Sequence, residues 1–330
     1  MITSGSYLKR KLLKTFQMSD LIRQVELKIA NKYSEQKMRC PVHLSYGQEF
    51  LPSALSTVVR VKDNFIGTHR SHAQYIAKGG SVKKMISEIY GKETGCSKGR
   101  GGSMHLIDLK VNFIGSSAIV GNSIPIGVGL SFADKIKKNN KTLTFIFFGD
   151  GAIEEGVFFE SINFAAVRKI PAVFICENNF YSVYTSFKDR QPAGREIYKM
   201  AKGMGIDSYL INTGDIEKDY NKISKIIHHS RIKQRPVFLE YKTYRYLEHC
   251  GPNNDDNLNY RNKREISYWK KKDVHENLKK LLIEKYKFKL DQILTIERKN
   301  FKIVIDAFKY AEKSKFPKSS LALTGLYKSL

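Results

Sequence analysis

Between residues 142 and 181 the chain sets two apolar runs around one amphipathic segment. Thr142 to Phe148 is short, apolar and β-favouring, and Gly149 stops it. A helical pattern follows, with Phe158, Ile162 and Ala165 spaced to lie on one face. A second apolar run, Ala172 to Cys176, starts after Pro171 and ends in Glu177-Asn178-Asn179. Continuous Val-, Ile- and Phe-rich runs separated by a helix read as a βαβ unit of a buried parallel sheet. Its crossover is expected to be right-handed, with both strands pointing the same way.

The flanking chain is read from the same periodicities. Residues 7–37 form one or two helices, because Met18, Ile22, Val25 and Ile29 recur at helical spacing until Pro41 breaks the pattern. His43 to Glu49 leads into another helix, and Phe65 to His72 follows as a polar-ended segment. Residues 91–105 are Gly-rich but match neither a P-loop nor G-x-G-x-x-G. A ligand-side flexible loop and a plain surface loop both fit them. Residues 115–136 read as a loop entering a buried helix, with Gly127 and Gly129 allowing close packing. Met204 to Asn212 and Pro236 to Tyr241 are further strands around a helix at 219–232. Asn253 to Asn259 is expected to be a mobile polar loop, and beyond Trp269 the pattern is charged and helical until Phe316-Pro317. The fold class is α/β, a parallel sheet flanked by helices, with a main α/β domain over 1–270 and a helical extension over 271–330.

Composition narrows the function classes. A chain of 330 residues with 42% hydrophobic and 27% charged residues is that of a globular protein with a large core. No apolar run approaches the ~20 residues of a membrane helix. The basic start, Met1 to Gln17, lacks the continuous apolar stretch of a secretory signal. Cys40, Cys96, Cys176 and Cys250 form no metal-spaced pair and fit a reducing compartment, so a cytoplasmic location is expected. The net charge of +25 raises nucleic-acid binding as a rival class. The lysines are spread along the chain without basic–aromatic alternation, so neither a nucleic acid nor a membrane is expected as a partner. A basic surface would instead steer an acidic protein partner at low salt.

Candidate chemistry gathers at the strand ends. Asp150 and Asn179 lie just past the carboxyl ends of their strands, where ligands bind in open α/β sheets. Neighbouring strands sit roughly 4.8 Å apart, so a carboxylate and an amide oxygen can converge on one hard cation. Mg²⁺ takes oxygen ligands at about 2.0–2.1 Å and usually keeps phosphate and water in its shell. Gly149 and Gly151 suit a backbone that approaches a phosphate closely. On Gly-Asp-Gly alone an ordinary buried βαβ is the plainer reading; Asn-Asn at the end of the next strand shifts it toward a metal–diphosphate site. Arg70 is an attractive phosphate ligand, although spacing alone also fits a surface arginine, and His69 and His72 are equally open.

Gly149-Asp150-Gly151 followed by Asn178-Asn179 resembles the thiamine diphosphate signature. From about residue 18 to about 318 the chain resembles the alpha subunit of thiamine diphosphate-dependent 2-oxoacid dehydrogenases, the decarboxylating first component. The likeness rests on HLSYGQE, THRSH, TGCSKGRGGSMH, IVG, GDGA, ICENN with Tyr181, YRY with His249, and Tyr260-Arg261, in that order. It implies a thiamine diphosphate-binding fold and an α2β2 assembly whose active site is shared with a beta subunit. It further implies Mg²⁺ held by the side chains of Asp150 and Asn179 and by the backbone carbonyl of Tyr181. Gly151 and Ala152 would place backbone groups near the diphosphate, and Arg70 would clamp it with help from the catalytic His249. Ala118 and Val120 would contact the aminopyrimidine. His69 stands where many relatives have Tyr, which weakens the implied contact. The implied reaction decarboxylates a pyruvate-like 2-oxo acid and passes the acyl group to the lipoyl carrier of an acidic acyltransferase.

One segment departs from the pattern. Pyruvate and branched-chain relatives commonly carry His-Gly-His-Ser where this chain has Leu247-Glu248-His249-Cys250. The second His is kept, whereas Cys250 replaces a hydroxyl that some eukaryotic relatives phosphorylate, so that regulation is not expected at this position. The same loop leaves room for an acyloin-forming or transketolase-like transferase with an aldehyde or sugar acceptor. The glutamate that activates the cofactor comes, in this family, from the beta subunit. Glu49 is given no such role, and the chain alone is expected to be inactive.

Overall fold

The computed structural model describes residues 4–138, 142–212 and 214–324. The N-terminal helical pattern is realised as one long helix, α1 (Ser4–Tyr33). Next come α2 (Phe50–Ser56), β1 (Asn64–Gly67), α3 (His72–Ala77), α4 (Val82–Ile89) and β2 (Phe113–Ser116). The expected βαβ unit is preceded by α5 (Ser123–Ile136) and consists of β3 (Thr144–Gly149), α6 (Gly156–Arg168) and β4 (Ala172–Asn178). A two-stranded ribbon, β5 (Tyr181–Ser182) and β6 (Thr185–Ser186), runs into the single turn α7 (Phe187–Arg190). Then follow α8 (Ile197–Gly203), β7 (Asp207–Asn212), α9 (Ile216–Lys233) and β8 (Val237–Lys242). Helices α10 (Lys263–Lys271), α11 (Val274–Glu284) and α12 (Leu290–Lys313) complete the order.

Six strands form one parallel sheet in the order β2-β1-β3-β4-β8-β7. Period-two alternation divides its side chains between two cores. Phe145, Phe147, Val173 and Ile175 face a core built with α1, α4, α9 and α12. Ile146, Phe148, Phe174 and Cys176 face the second core, against α5, α6 and α8. Burial on both faces explains why β3 and β4 read as continuous apolar runs. Leu278 and Leu282 of α11 and Val304 and Phe308 of α12 join the first core, so the charged C-terminal helices pack on the sheet-bearing body.

Three expectations change on contact with the structure. The Gly-rich stretch after α4 is wound around the buried Glu88 carboxylate, which accepts from the backbone N–H groups of Ser97 (2.7 Å), Gly99 (3.0 Å), Gly101 (2.7 Å) and Gly102 (3.2 Å). It is an anchored loop. The 253–259 loop, expected to be mobile, is pinned at its centre. Asp255 is only 2% exposed and is paired with Arg245 and Arg261. The two glycines of α5 also differ. A Cβ on Gly127 would stand 2.5 Å from Ile146 Cγ1, so the helix presses on β3 there, whereas a Cβ on Gly129 would meet nothing within 4 Å.

These opposite surroundings predict opposite signs. Gly127→Ala should destabilise the fold by about 1–3 kcal/mol through overpacking. Gly129→Ala should stabilise it by about 0.4–1 kcal/mol by removing unfolded-chain entropy. Equilibrium denaturation of both variants checks the pair.

Candidate functional site

After β1 the chain turns one way to β2, then returns to place β3 on the other side of β1. The carboxyl ends of β1 and β3 therefore flank a topological switch point, the position at which open α/β sheets leave a crevice. A cleft with room for about 120 Å³ of water opens there. His69 and Arg70 follow β1, Asp150 follows β3 and Asn179 follows β4, and all four line it. The β3–β4 register pairs Gly149 with Glu177, which brings the two strand tips side by side. Val120, Gly151, Ala152, Tyr181 and His249 complete the expected set along the same walls. Ala118 is half-buried and stands outside the lining.

One corner of the cleft carries oxygen donors. Asp150 is 1% exposed, and burial pushes its carboxyl up, opposed by Arg190 and by the backbone N–H groups of Asp150 and Asn179. Its Oδ2 is ion-paired with Arg190. The Asn179 amide is held at both ends: Nδ2 donates to Gln48 Oε1 (2.9 Å), and Oδ1 accepts from the Tyr181 backbone N–H (3.2 Å). The Tyr181 hydroxyl donates to Glu265 Oε1 (2.9 Å) and so is turned away to a separate task. That leaves its backbone as the part able to serve the corner. A carboxylate, an amide oxygen and a main-chain carbonyl make a hard donor set, suited to a divalent ion of the magnesium type.

The opposite corner is cationic. Arg70 is 6% exposed, donates from Nη1 to Leu44 O (2.6 Å) and from Nη2 to His249 O (3.0 Å), and has no carboxylate within ion-pair distance among the described residues. Burial, then the Arg245 charge, pushes it down to about 9. A buried guanidinium without a counter-ion is costly, and an anion in the cleft would relieve that cost. Gly149 marks where the anion has room, since a Cβ there would meet no atom within 4 Å. Both corners thus fit a diphosphate bridged to a divalent ion.

Three imidazoles surround Arg70. His69 and His249 stand 5.4 Å apart by ring centroid, and His43 lies 4.6 and 5.1 Å from them. Burial first, then Arg70, lowers His43 to about 2, His69 to about 4 and His249 to about 3. All three are therefore neutral at pH 7. The loop that delivers His249 is fixed by its neighbours: the Tyr246 N–H donates to Tyr46 O (3.1 Å) and the Gly251 N–H to Val42 O (2.8 Å). Gly47, directly after Tyr46, has φ +92°, and a Cβ there would lie 2.4 Å from Tyr244 O, so only glycine fits the clasp.

His72, the other histidine of the THRSH segment, is fully buried between Glu26 Oε2 (3.0 Å) and Ser103 Oγ (2.7 Å), away from the cleft. Glu49 is equally structural, with Arg23 Nε at 2.8 Å. Residues that sequence reading did not single out also line the site: Gln48, which orients Asn179, and Glu177, which burial pushes up to about 8 while Gln74 donates to it at 2.6 Å. Both sit inside quoted motifs, GQE and ENN, yet neither spacing nor charge marked them.

Comparison with known proteins identifies the family. The family model described as dehydrogenase E1 component matches residues 17–320. The chain is 35% identical over 328 residues to the pyruvate dehydrogenase E1 component subunit alpha of Rickettsia bellii, covering 99% of each chain. It is 37% identical to the Rickettsia felis protein of the same name, covering 97% of this chain and 96% of that one. It is 32% identical to the mitochondrial pyruvate dehydrogenase E1 component subunit alpha-1 of Oryza sativa, covering 96% of this chain and 80% of that one. With the family matched over nearly its whole length, the chain belongs to the dehydrogenase E1 components as an alpha subunit of the 2-oxoacid dehydrogenase type, a thiamine diphosphate-dependent oxidoreductase acting on an oxo group.

Proposed function

We propose that this alpha subunit works on a pyruvate-like 2-oxo acid and delivers the acyl group to a lipoyl carrier, in an active site completed by a beta subunit. The observation that carries the reading is the convergence of Asp150, Asn179 and the unpaired Arg70 on one cleft at the switch point. The names of the relatives support pyruvate as the substrate class. Bound here, thiamine diphosphate would supply the nucleophilic carbon and the electron sink for decarboxylation. The protein's part is to hold, bend and dry it. Asp150 and Asn179 would grip Mg²⁺ by side chain and Tyr181 by its carbonyl, while Gly151 and Ala152 lie along the diphosphate. Arg70 supplies the fixed positive charge, and neutral His69 and His249 offer hydrogen bonds without adding to it.

Val120, which lines the cleft, is 49% exposed, and Ile119 beside it in the chain is 67% exposed. An apolar, open wall there suits closure by a second subunit, which would also bring the carboxylate that activates the aminopyrimidine. The net charge of +25 favours an acidic lipoyl-bearing acyltransferase as the acceptor component. Among the described residues no helix is long and apolar enough to cross a membrane. Four free cysteines suit a reducing cytoplasm.

Asp150→Asn should cut thiamine diphosphate affinity in the presence of Mg²⁺ by at least ~100-fold, on the scale of losing a buried charge-assisted ligand. Calorimetry on the alpha–beta assembly measures it, and wild-type affinity would refute the metal assignment. The purified chain alone should show no turnover of pyruvate, whereas the assembly should transfer acetyl groups to a lipoyl domain. Product formed only with an aldehyde acceptor would move the reaction to the acyloin-forming class. In the cofactor-free protein these three imidazoles should withdraw stability as the pH falls below about 6.5. The unfolded imidazoles take up protons there, while the folded ones stay neutral until about pH 4 and below, so their contribution to stability rises with pH across this window. The double variant His69→Gln, His249→Gln should flatten that slope in denaturation curves taken between pH 4 and 7.

A further inference from the structure

We propose that Arg190 is a positioning residue for the metal ligand Asp150, holding one carboxylate oxygen so that the other is presented to the divalent ion while Glu154 is kept away from it. The proposal rests on the reading of the cleft as a metal–diphosphate site.

Arg190 closes α7, which is hung on the ribbon that carries Tyr181: the Phe187 N–H donates to Phe180 O at 2.7 Å. From there one guanidinium bridges two acids, with Nη2 on Asp150 Oδ2 and Nη1 on Glu154 Oε1, while Nε donates to Thr185 O at 3.3 Å. Its side chain is 9% exposed and lies over the Phe187 ring, 5.8 Å from the centroid, so its direction is constrained. Gln191 Nε2 adds a second donor to Glu154 Oε1 at 3.0 Å.

The arginine engages Oδ2 alone, and among the described residues no side chain is bonded to Asp150 Oδ1. That division of labour is what a metal-ligating carboxylate needs. One oxygen fixes the plane of the group, and the other stays available. The charges agree with it. Two carboxylates and one guanidinium leave a net charge of −1 beside the ion, enough to attract it without strongly repelling a diphosphate. Freed from Arg190 and Gln191, the exposed Glu154 could swing toward the ion or repel the cofactor. Lysine cannot replace this bridge, because an ammonium is a point charge without the planar fork that reaches both acids.

The test is Mn²⁺ binding, followed by electron paramagnetic resonance, to the metal-stripped alpha–beta assembly with thiamine diphosphate present. Arg190→Gln should weaken Mn²⁺ about 10–100-fold, the usual effect of losing an outer partner of a metal ligand. Arg190→Lys should fall between it and wild type. Saturating metal should restore most of kcat in both, so that the defect shows as a raised metal requirement. Glu154→Gln should stay within about threefold of wild type. Unchanged or tighter Mn²⁺ binding by Arg190→Gln would overturn the proposal and make the arginine a competitor for the carboxylate. If Arg190→Gln does not fold, Arg190→Lys decides by the same measure. A wild-type assembly that binds no Mn²⁺ at all would remove the metal-site reading itself, an outcome distinct from failure at Arg190.

Discussion

The parallel pairing of β3 with β4 is the constraint on which the site depends. Its register sets Gly149 against Glu177, and each chain leaves the sheet one or two residues later. A carboxylate and an amide are thereby delivered to one edge with almost no freedom to separate. The strands are buried on both faces by Phe145, Phe147, Ile146, Phe148 and their β4 partners, so slipping the register would turn two cores inside out. The corner that holds Asp150 and Asn179 inherits the rigidity of that core.

Charge is the second organising term, and it is deliberately incomplete. Asp150 has its guanidinium, whereas Arg70 is buried, hydrogen-bonded to the carbonyls of Leu44 and His249, with no carboxylate within ion-pair distance among the described residues. Surrounding imidazoles would add repulsion if protonated, and burial keeps them neutral. A fold that encloses a cation without its counter-ion stores a binding preference for an anion. The diphosphate end of a cofactor is an anion that would answer it, and the hard donors of the cleft would suit an ion accompanying such an end.

Much of this was legible one residue at a time. Continuous apolar runs announced β3 and β4, and the polar residues at their ends announced the Asp150 and Asn179 that line the cleft. Strands β1 and β2 were not announced: Asn64–Gly67 and Phe113–Ser116 are four residues each, too short to show a period, and they are strands because β3 offers an edge to β1 and β1 in turn offers one to β2. The loop over 253–259 looked mobile because it is polar, yet Asp255 meets Arg245 and Arg261 through contacts that spacing does not encode. Likewise Gly127 and Gly129 look alike in a helix, and only the approach of Ile146 distinguishes them.

By itself, then, the amino-acid order determined the class of fold, the strand tips that carry Asp150 and Asn179, and the chemistry those groups can perform. Those features follow from local periodicity and from the identity of donor atoms, which need no partner to be read. Tertiary structure decided which distant groups complete them: Gln48 on Asn179, Arg190 on Asp150, and His43, His69 and His249 around Arg70. Such pairings depend on how far apart segments are folded together, and a side chain's charge state and direction depend in turn on that company.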